Sequence, residues 1–496
     1  MLTYKNLQMK NIFKKASFLL VGVLAVSSCK KEYLQTLPTA DVSGETVFAT
    51  TKGALVALDG TYRNMYTSLT NHGNFGQKSY EIVSDLMGTD IVLHAAGYGW
   101  FNTDYQYTAN QTAADAGRSE RIWYYYYRTI NNANRILANI DAATGTPSER
   151  EDIKGQALAL RAYSYFYLVN FFQQTYKGNE TKPGVPLYTT PTSVGNPRGT
   201  VQQDYTQIIA DLKQAETLLT GKTATQAQKS RISVSVVQGM MARVALQMED
   251  YATARDYAKK ARGTIAPMSG TTYNAGFSSI ANTEWMWGLE VNIEQATIYA
   301  SYYSHMDNTA AGYAGLGSYK KITKALYDQI PATDARKTAF KAPGTTGLPD
   351  YTILKFRKPS ASTWNGDYLL MRAGEMYLIE AEASARLGDD ANALAVLTTL
   401  VKTKNPSYAF AGTGTALLNE ILLQRRIELY GEGFQLNDIK RLKQGLNRPT
   451  GAGNHGAPNF DAVTYTLPDA SPKFLMRIPQ SEINTNKSFT AADQNP

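Results

Sequence analysis

The chain reads as an all-α protein, a scaffold of tetratricopeptide-like helical hairpins carrying long irregular insertions rich in aromatic residues. Three observations predict this. Apolar residues recur at helical spacing in segment after segment of the 496-residue chain. Two segments, "ARVALQMEDYATARDYAKKA" (242–261) and "AEASARLGDDANALAVLTTL" (381–400), overlay without a gap. Each has small residues in a first helix (Ala242 and Ala245; Ala381 and Ser384), a turn at Asp250 or Asp389, and a second helix opening with Ala252 and Ala254 or Ala391 and Ala393. Small side chains there let antiparallel helices approach closely, the device of hairpin repeats. Finally, the copies are separated by a long stretch where the period fades, so the repeats are interleaved with insertions on a curved scaffold.

Taken in order, residues 33–46 are polar and read as a tether. Leu55, Leu58, Tyr62, Met65 and Leu69 then mark a first helix. The segment 71–118 loses the period and fills with glycine, asparagine and aromatics, which predicts loops with short strands or turns. Helices return at 119–141 and 150–172, the second apolar or aromatic nearly all round and therefore in contact on more than one side. Two more helical stretches occupy 200–219 and 233–262. From 263 to 363 aromatic residues stand among glycines, and a span this long predicts a folded, functional insertion. Helical spacing resumes at 367–388, 391–401 and 416–433, the last ended by Gly431 and Gly433.

Cys29 is the only cysteine, which rules out an internal disulfide and multi-cysteine metal sites. Four lysines (Lys5, Lys10, Lys14, Lys15) precede the apolar run Phe18–Val26, too short to span a bilayer, where about 20 residues are needed. Basic, apolar and small-residue regions in that order make a secretory signal, and Val26-Ser27-Ser28-Cys29 resembles the bacterial lipobox, which is cut before a lipid-bearing cysteine. An ordinary signal peptide with cysteine as first mature residue is the plain alternative, and Met9 is an alternative start. Several acyl chains on one residue give stable anchoring where a single chain does not. Removing residues 1–28 takes four lysines and no acid from the net charge of +8, leaving +4, too mild to invoke nucleic acid. The 33 tyrosines, about twice average usage, offer flat faces with polar tips, through helix packing and through wet, gripping surfaces.

Catalytic constellations are thin. None of His72, His94, His305 and His455 stands four residues from another, and no nucleophile elbow, phosphate loop or dinucleotide fingerprint occurs. Neither a metal nor a cofactor is expected. Asp85 and Asp90 read as caps rather than as a catalytic pair. In "QRRIELYGEGFQLNDIKR" (424–441) the charges are dense. Glu380, on the apolar side of its helix, needs a cationic partner, and Arg425 or Arg426 is the expected one. With Glu428 these form the expected structural ion network.

Several blocks carry a resemblance. "ALRAYSYFYLVNFF" with "GVPL" (159–187), "KFRKPSASTWNGDYLLMRAGEMYLIEAEASARLG" (355–388), "LLNEILLQRRIELYGEGFQLNDIKRL" (417–442) and "RIPQSEINTNKSFTAADQNP" (477–496) look like the signature blocks of the SusD/RagB family. "KKEYLQTLP" after Cys29 and "LYDQIPATDARK" (326–337) fit as well. The departures are "LNDIKR", where an aromatic commonly precedes the acid, and the end at "QNP". The resemblance implies a cell-surface, outer-membrane lipoprotein that is not an enzyme. It implies a helical body that acts as lid for a SusC-type TonB-dependent transporter and delivers a glycan or, less commonly, a peptide. It divides the chain into a signal (1–28), a tether (29–46) and one SusD-like domain (47–496). That domain has an N-terminal helical part to 262, an insertion at 263–363 and a C-terminal part from 364.

A sugar presents flat C–H faces edged with hydroxyls, so a glycan site needs aromatic platforms and a few polar partners. Two segments supply them. "GYGWFNTDY" (97–105) offers Tyr98, Trp100, Phe101, Asn102 and Asp104; the stretch from 284 to 307 offers Trp285, Trp287, Tyr302 and Tyr303. Core packing competes for each. A surface glycosidase remains the third reading, since paired carboxylates are hidden by sequence distance.

Overall fold

The computed structural model describes residues 47–68, 71–108, 117–456 and 460–496. The tether and Cys29 lie outside the described residues, as does Leu69. Eleven helices of seven or more residues, among the described residues, carry the fold. They are α1 (Thr51–Asn64), α2 (Gln77–Leu86), α3 (Arg118–Asn139), α4 (Pro147–Phe172), α5 (Val201–Leu219), α6 (Val234–Gln247), α7 (Tyr251–Arg262), α8 (Ala373–Arg386), α9 (Asp390–Lys402), α10 (Gly414–Glu428) and α11 (Gln435–Arg441). From α3 to α9 each packs on the next, and α10 lies against α8 and α9. That succession is a superhelix of antiparallel hairpins, interrupted between α7 and α8 by the predicted insertion.

Local chemistry sets the boundaries. Thr146 and Thr200 close capping boxes with Glu149 and Gln203 at the starts of α4 and α5, and Pro147 sits where a missing N–H costs nothing. α4 is buried almost without interruption from Ile153 onward, clasped between α3 and α5 as its all-round apolarity requires.

The two overlaid hairpins agree down to their hydrogen bonds. Asp250 caps α7 by accepting from the Thr253 N–H, and Asp389 caps α9 by accepting from that of Asn392. The cap's own N–H reaches back to Ala245 in one copy and Ser384 in the other, both at 2.9 Å. A left-handed residue, Glu249 or Gly388, precedes each cap. Ala242, Ala254, Ala381 and Ala393 are fully buried at the close approach.

The short strands in chain order include β1 (Ile91–Leu93), β2 (Pro183–Pro186), β3 (Arg198–Thr200), β4 (Trp285–Leu289), β5 (Lys320–Ile322) and β6 (Tyr368–Arg372). Two expectations need correction. The segment from 367 does not start as helix: it opens with β6, paired antiparallel with β4. Four apolar residues in a row fit a strand buried on both faces as well as a helix, and a partner about 80 residues away decides. The aperiodic segment after residue 71 holds a full helix, α2, every residue of which is buried, including Lys78, Glu81 and Asp85. It does carry an apolar stripe (Tyr80, Ile82, Val83 and Leu86), but at ten residues between glycine-rich loops it is short enough to be read as part of them. One core runs from Ala54 to Phe489. No helix among the described residues is long and apolar enough to cross a membrane.

Candidate functional site: an open aromatic patch

A short ladder brings the two predicted segments together. Strand β1 (Ile91–Leu93) pairs antiparallel with β5 (Lys320–Ile322), and the His94 N–H extends the pairing to the Tyr319 carbonyl. The chain leaving β1 therefore runs beside the chain entering β5. It turns at Gly97, whose φ of +49° suits glycine and whose missing Cβ would lie 1.8 Å from Ser318 Oγ. The Gly99 N–H donates to Ala96, which puts Tyr98 at the tip. The Asn102 amide donates to the same carbonyl at 3.0 Å and closes the loop.

Opposite this loop, Ser301 caps the single-turn helix Tyr302–Met306. The Ser304 hydroxyl and carbonyl accept from the N–H groups of Tyr313 and Ala314, folding the following loop back over the turn. Tyr313 thus reaches the first loop. Tyr98 meets its ring edge-on at 5.0 Å, Tyr299 lies 5.2 Å away, and Trp100 and His72 each 5.8 Å. His72 stacks on Tyr299 at 5.9 Å, and its Nδ1 is 2.6 Å from the Tyr313 hydroxyl.

The five rings form a continuous patch. Tyr98 is 57% exposed and Tyr299 41%, Trp100 is half-buried, and Tyr313 forms the floor. The hydroxyls of Tyr98 and Tyr299 have no protein partner among the described residues. Below the floor, His305 stacks on Tyr313 at 5.1 Å and on Phe75 at 5.4 Å, with Nε2 2.9 Å from the His72 carbonyl oxygen. Burial, with the neighbouring Lys320 ammonium, holds the His305 imidazole well below its ordinary range. The patch therefore rests on a second layer of stacked rings.

The predicted residues divide. Tyr98 and Trp100 are in the patch. Phe101, Asn102 and Asp104 are beneath or beside it as supports: Phe101 packs edge-on to His305, and Asp104 is buried in a pair with Arg118. Trp285, Trp287, Tyr302 and Tyr303 do not face solvent and are corrected to core. Trp285 and Trp287 are buried in the β4–β6 pair. The Tyr302 hydroxyl donates to Gly431, and that of Tyr303 to Phe277 and Asp367. Those phenols satisfy loop carbonyls, so they have no polar tip left for a ligand. Sequence reasoning missed Tyr299, Tyr313 and His72 as a group. The available signal was the glycine-flanked setting of Tyr313, which marks a backbone bent to present one side chain.

The ion network is real but differently wired. Glu380 pairs with Arg262 at 2.6 Å, not with Arg425 or Arg426. Arg425 pairs with Asp438, and Arg426 with Asp90. Glu428 meets Arg336, Arg372 and Lys404 at 3.0, 2.8 and 3.3 Å. Burial would raise the Glu428 carboxyl, but these three cations hold it well below the usual carboxylate range. Arg372 also binds Glu284 and Glu432, while Lys355 joins Glu432. Asp85 is a cap, as expected, but for a distant segment: its carboxylate accepts from the N–H groups of Gly433 and Gln435. Among the described residues, no group of three or more His, Cys, Asp and Glu is placed to hold a metal ion.

These features define a helical-repeat protein with a solvent-open aromatic patch. The comparisons carry that class to a family. A profile of the SusD family matches residues 270–496, and one described as starch-binding, associating with the outer membrane, matches 58–246. A SusD-like carbohydrate binding protein from Bacteroides vulgatus is 30% identical, with a TM-score of 0.78 over 90% of this chain and 98% of its own. Surface glycan-binding protein A from Bacteroides thetaiotaomicron shares the fold at 18% identity, with a TM-score of 0.69 over 91% of this chain and 100% of its own. SusD-like protein P2 of Formosa agariphila is 22% identical over 92% of this chain and 96% of its own. The chain belongs to the SusD family.

Proposed function

We propose that this protein binds a glycan on the aromatic patch and delivers it, from the outer face of the outer membrane, to a SusC-type TonB-dependent transporter. The observation that carries the reading is the patch: Tyr98, Trp100, Tyr299, Tyr313 and His72 present contiguous ring faces with free phenol groups at the edge. Ring faces take the C–H face of a pyranose and hydroxyls take its rim. The family, and the carbohydrate-binding relative at 30% identity, support the same substrate class.

In this reading Cys29 bears the lipid and residues 47–496 act as one body on a tether, a division supported by the core that runs from Ala54 to Phe489. The protein holds its cargo without altering it: its buried carboxylates are engaged by cations or main-chain N–H groups in the body rather than facing each other across the patch.

Affinity electrophoresis against a panel of polysaccharides, repeated with Trp100→Ala and Tyr299→Ala, tests the patch. Retardation by at least one glycan, lost in both variants, is expected. Binding of a peptide pool with no glycan retained would reassign the cargo, and release of reducing sugar would overturn the non-catalytic role. Mass spectrometry of the native amino terminus, expected to show acylated Cys29, tests the anchor.

A further inference from the structure

A second cleft, of about 550 Å³, lies on α3. Its size falls within the range of ligand pockets. The wall is one stripe of the helix, in which Tyr124, Tyr127, Arg128 and Asn131 recur at helical spacing. The 188–195 loop and the short helix Gln480–Thr485 form the other sides. None of its residues belongs to the aromatic patch.

The cleft has planar faces and a defined polar set. Tyr127 packs edge-on to Tyr188 at 5.7 Å, and Tyr124 is 57% exposed at the rim. Its two carboxylates keep their charge but are engaged by neutral donors from the cleft's own walls. Glu482 accepts from the Trp123 indole N–H at 3.3 Å and from Asn486 at 2.8 Å, while Glu120 accepts from Ser481 at 3.0 Å. Arg128 differs: it is half-buried, and among the described residues it has no ion pair and no hydrogen bond. A guanidinium held in a cleft with all its N–H donors open is matched to a planar or tetrahedral anion, which it grips bidentately.

We propose that this cleft is a second carbohydrate site, selective for a sugar residue carrying an anionic substituent. In it Arg128 binds the carboxylate or sulfate and Tyr124 stacks on the ring. The choice of a sugar as carrier of the anion rests on the glycan-binding reading above; the position and charge preference of the cleft do not.

The test uses the mature protein and a variant with the patch disabled (Trp100→Ala, Tyr299→Ala), so that loss of patch binding and loss of cleft binding are read separately. Calorimetric titration with trigalacturonate, a sulfated carrageenan oligosaccharide and neutral maltotriose distinguishes carboxylate from sulfate and either from an uncharged ring. At least one anionic probe should bind the patch-disabled protein, more weakly as salt rises. Arg128→Gln should weaken it by about tenfold or more, and Tyr124→Ala should also weaken it. Tyr124 is exposed and Arg128 half-buried without a protein partner among the described residues, and an unchanged melting temperature confirms that each variant folds. The proposal is overturned if neither anionic probe binds the patch-disabled protein, if maltotriose binds it equally well, or if Arg128→Gln leaves affinity unchanged.

Discussion

Removing one buried carboxylate that touches no ligand should impair the patch. Asp104 sits below the loop that presents Tyr98 and Trp100, its side chain fully buried. It accepts from Arg118 Nε at 3.0 and 3.2 Å and from Nη2 at 2.9 Å. Arg118 Nη1 donates to the Gly73 carbonyl at 2.7 Å, and its guanidinium lies 4.7 Å from the Phe101 ring centre. Gly73 in turn lies directly against the Trp100 ring, since a Cβ there would be 3.1 Å from Trp100 Cε3. The pair therefore ties the start of α3, the 71–76 loop and the 97–105 loop together.

Asp104→Leu keeps the number and branching of the side-chain heavy atoms and removes the charge. Two guanidinium nitrogens lose their acceptor, at ~1.5–3 kcal/mol each for charged groups. That sum agrees with the roughly 3–5 kcal/mol observed when one partner of a buried ion pair is removed. The cost falls on the closed arrangement of the loops, so apparent glycan affinity should drop in proportion to the closed fraction. The double variant Asp104→Leu, Arg118→Met removes both charges and should recover most of the loss, because apolar replacement of a buried pair is often neutral. Thermal unfolding, hydrogen exchange across residues 94–108 and glycan titration measure the three effects. The reasoning is refuted if the single variant melts, exchanges and binds like the parent, or if the double variant is no better than the single.

Three further outcomes are expected. Arg372→Met leaves Glu284, Glu428 and Glu432 without the cation they share, which should cost about 3–5 kcal/mol and show as a large fall in melting temperature; a shift of only a degree or two would contradict it. Burial, then repulsion from Arg448, lowers the His455 imidazole to about 3, so its contribution is whole above the unfolded value of 6.5 and is lost as pH falls toward 3. By pH 5 that loss is ~2 kcal/mol, so between pH 7 and pH 5 the unfolding free energy of His455→Gln should rise by about that much relative to the parent; the Asp85 carboxyl, raised to about 7 by burial, stabilises the fold over the same interval but does so in both proteins and drops out of the difference. Gly97→Ala places a Cβ on Ser318 Oγ at a backbone angle that favours glycine, and should weaken glycan binding several-fold with little change in melting temperature; parental affinity would show that the turn does not set the position of Tyr98.

What could be read from the sequence was what neighbours in sequence decide. The twin hairpins were legible because an Asp cap, a short turn and buried alanines are all local. The end of α10 before Gly431 was legible for the same reason. The aromatic assignments were split by a non-local fact. Trp100 and Trp287 both stand beside glycines, yet one lies in a surface loop and the other in a strand whose partner is β6. Glu380 visibly required a cation, but Arg262 lies 118 residues away and nothing local distinguishes it from Arg425. The patch itself needed β1 to find β5 across more than 200 residues, so its members were visible singly and not as a set.

The irregular segments of the body, those that carry the patch among them, have little ladder of their own, and buried charged and polar side chains take the place of one. Arg448 donates to the carbonyls of Leu86, Gly88, Tyr105 and Thr464, and Lys355 to those of Glu428 and Tyr430. Lys440 does the same for Asn170 and Gln173. Arg118 and Asn102 do it within the patch's own supports, where the Ser304 hydroxyl in turn accepts from the Tyr313 N–H. Each such bond satisfies a buried main-chain group that a helix or strand would otherwise have to satisfy. Each also fixes a loop at one point, because a guanidinium bound to three or four carbonyls cannot shift without leaving several unpaired. A surface held this way loses little conformational freedom when a ring settles on it, so free and glycan-bound forms should superpose within about 1 Å across these loops. Anchoring by buried donors is how irregular chain can keep a fixed surface without a ladder of its own.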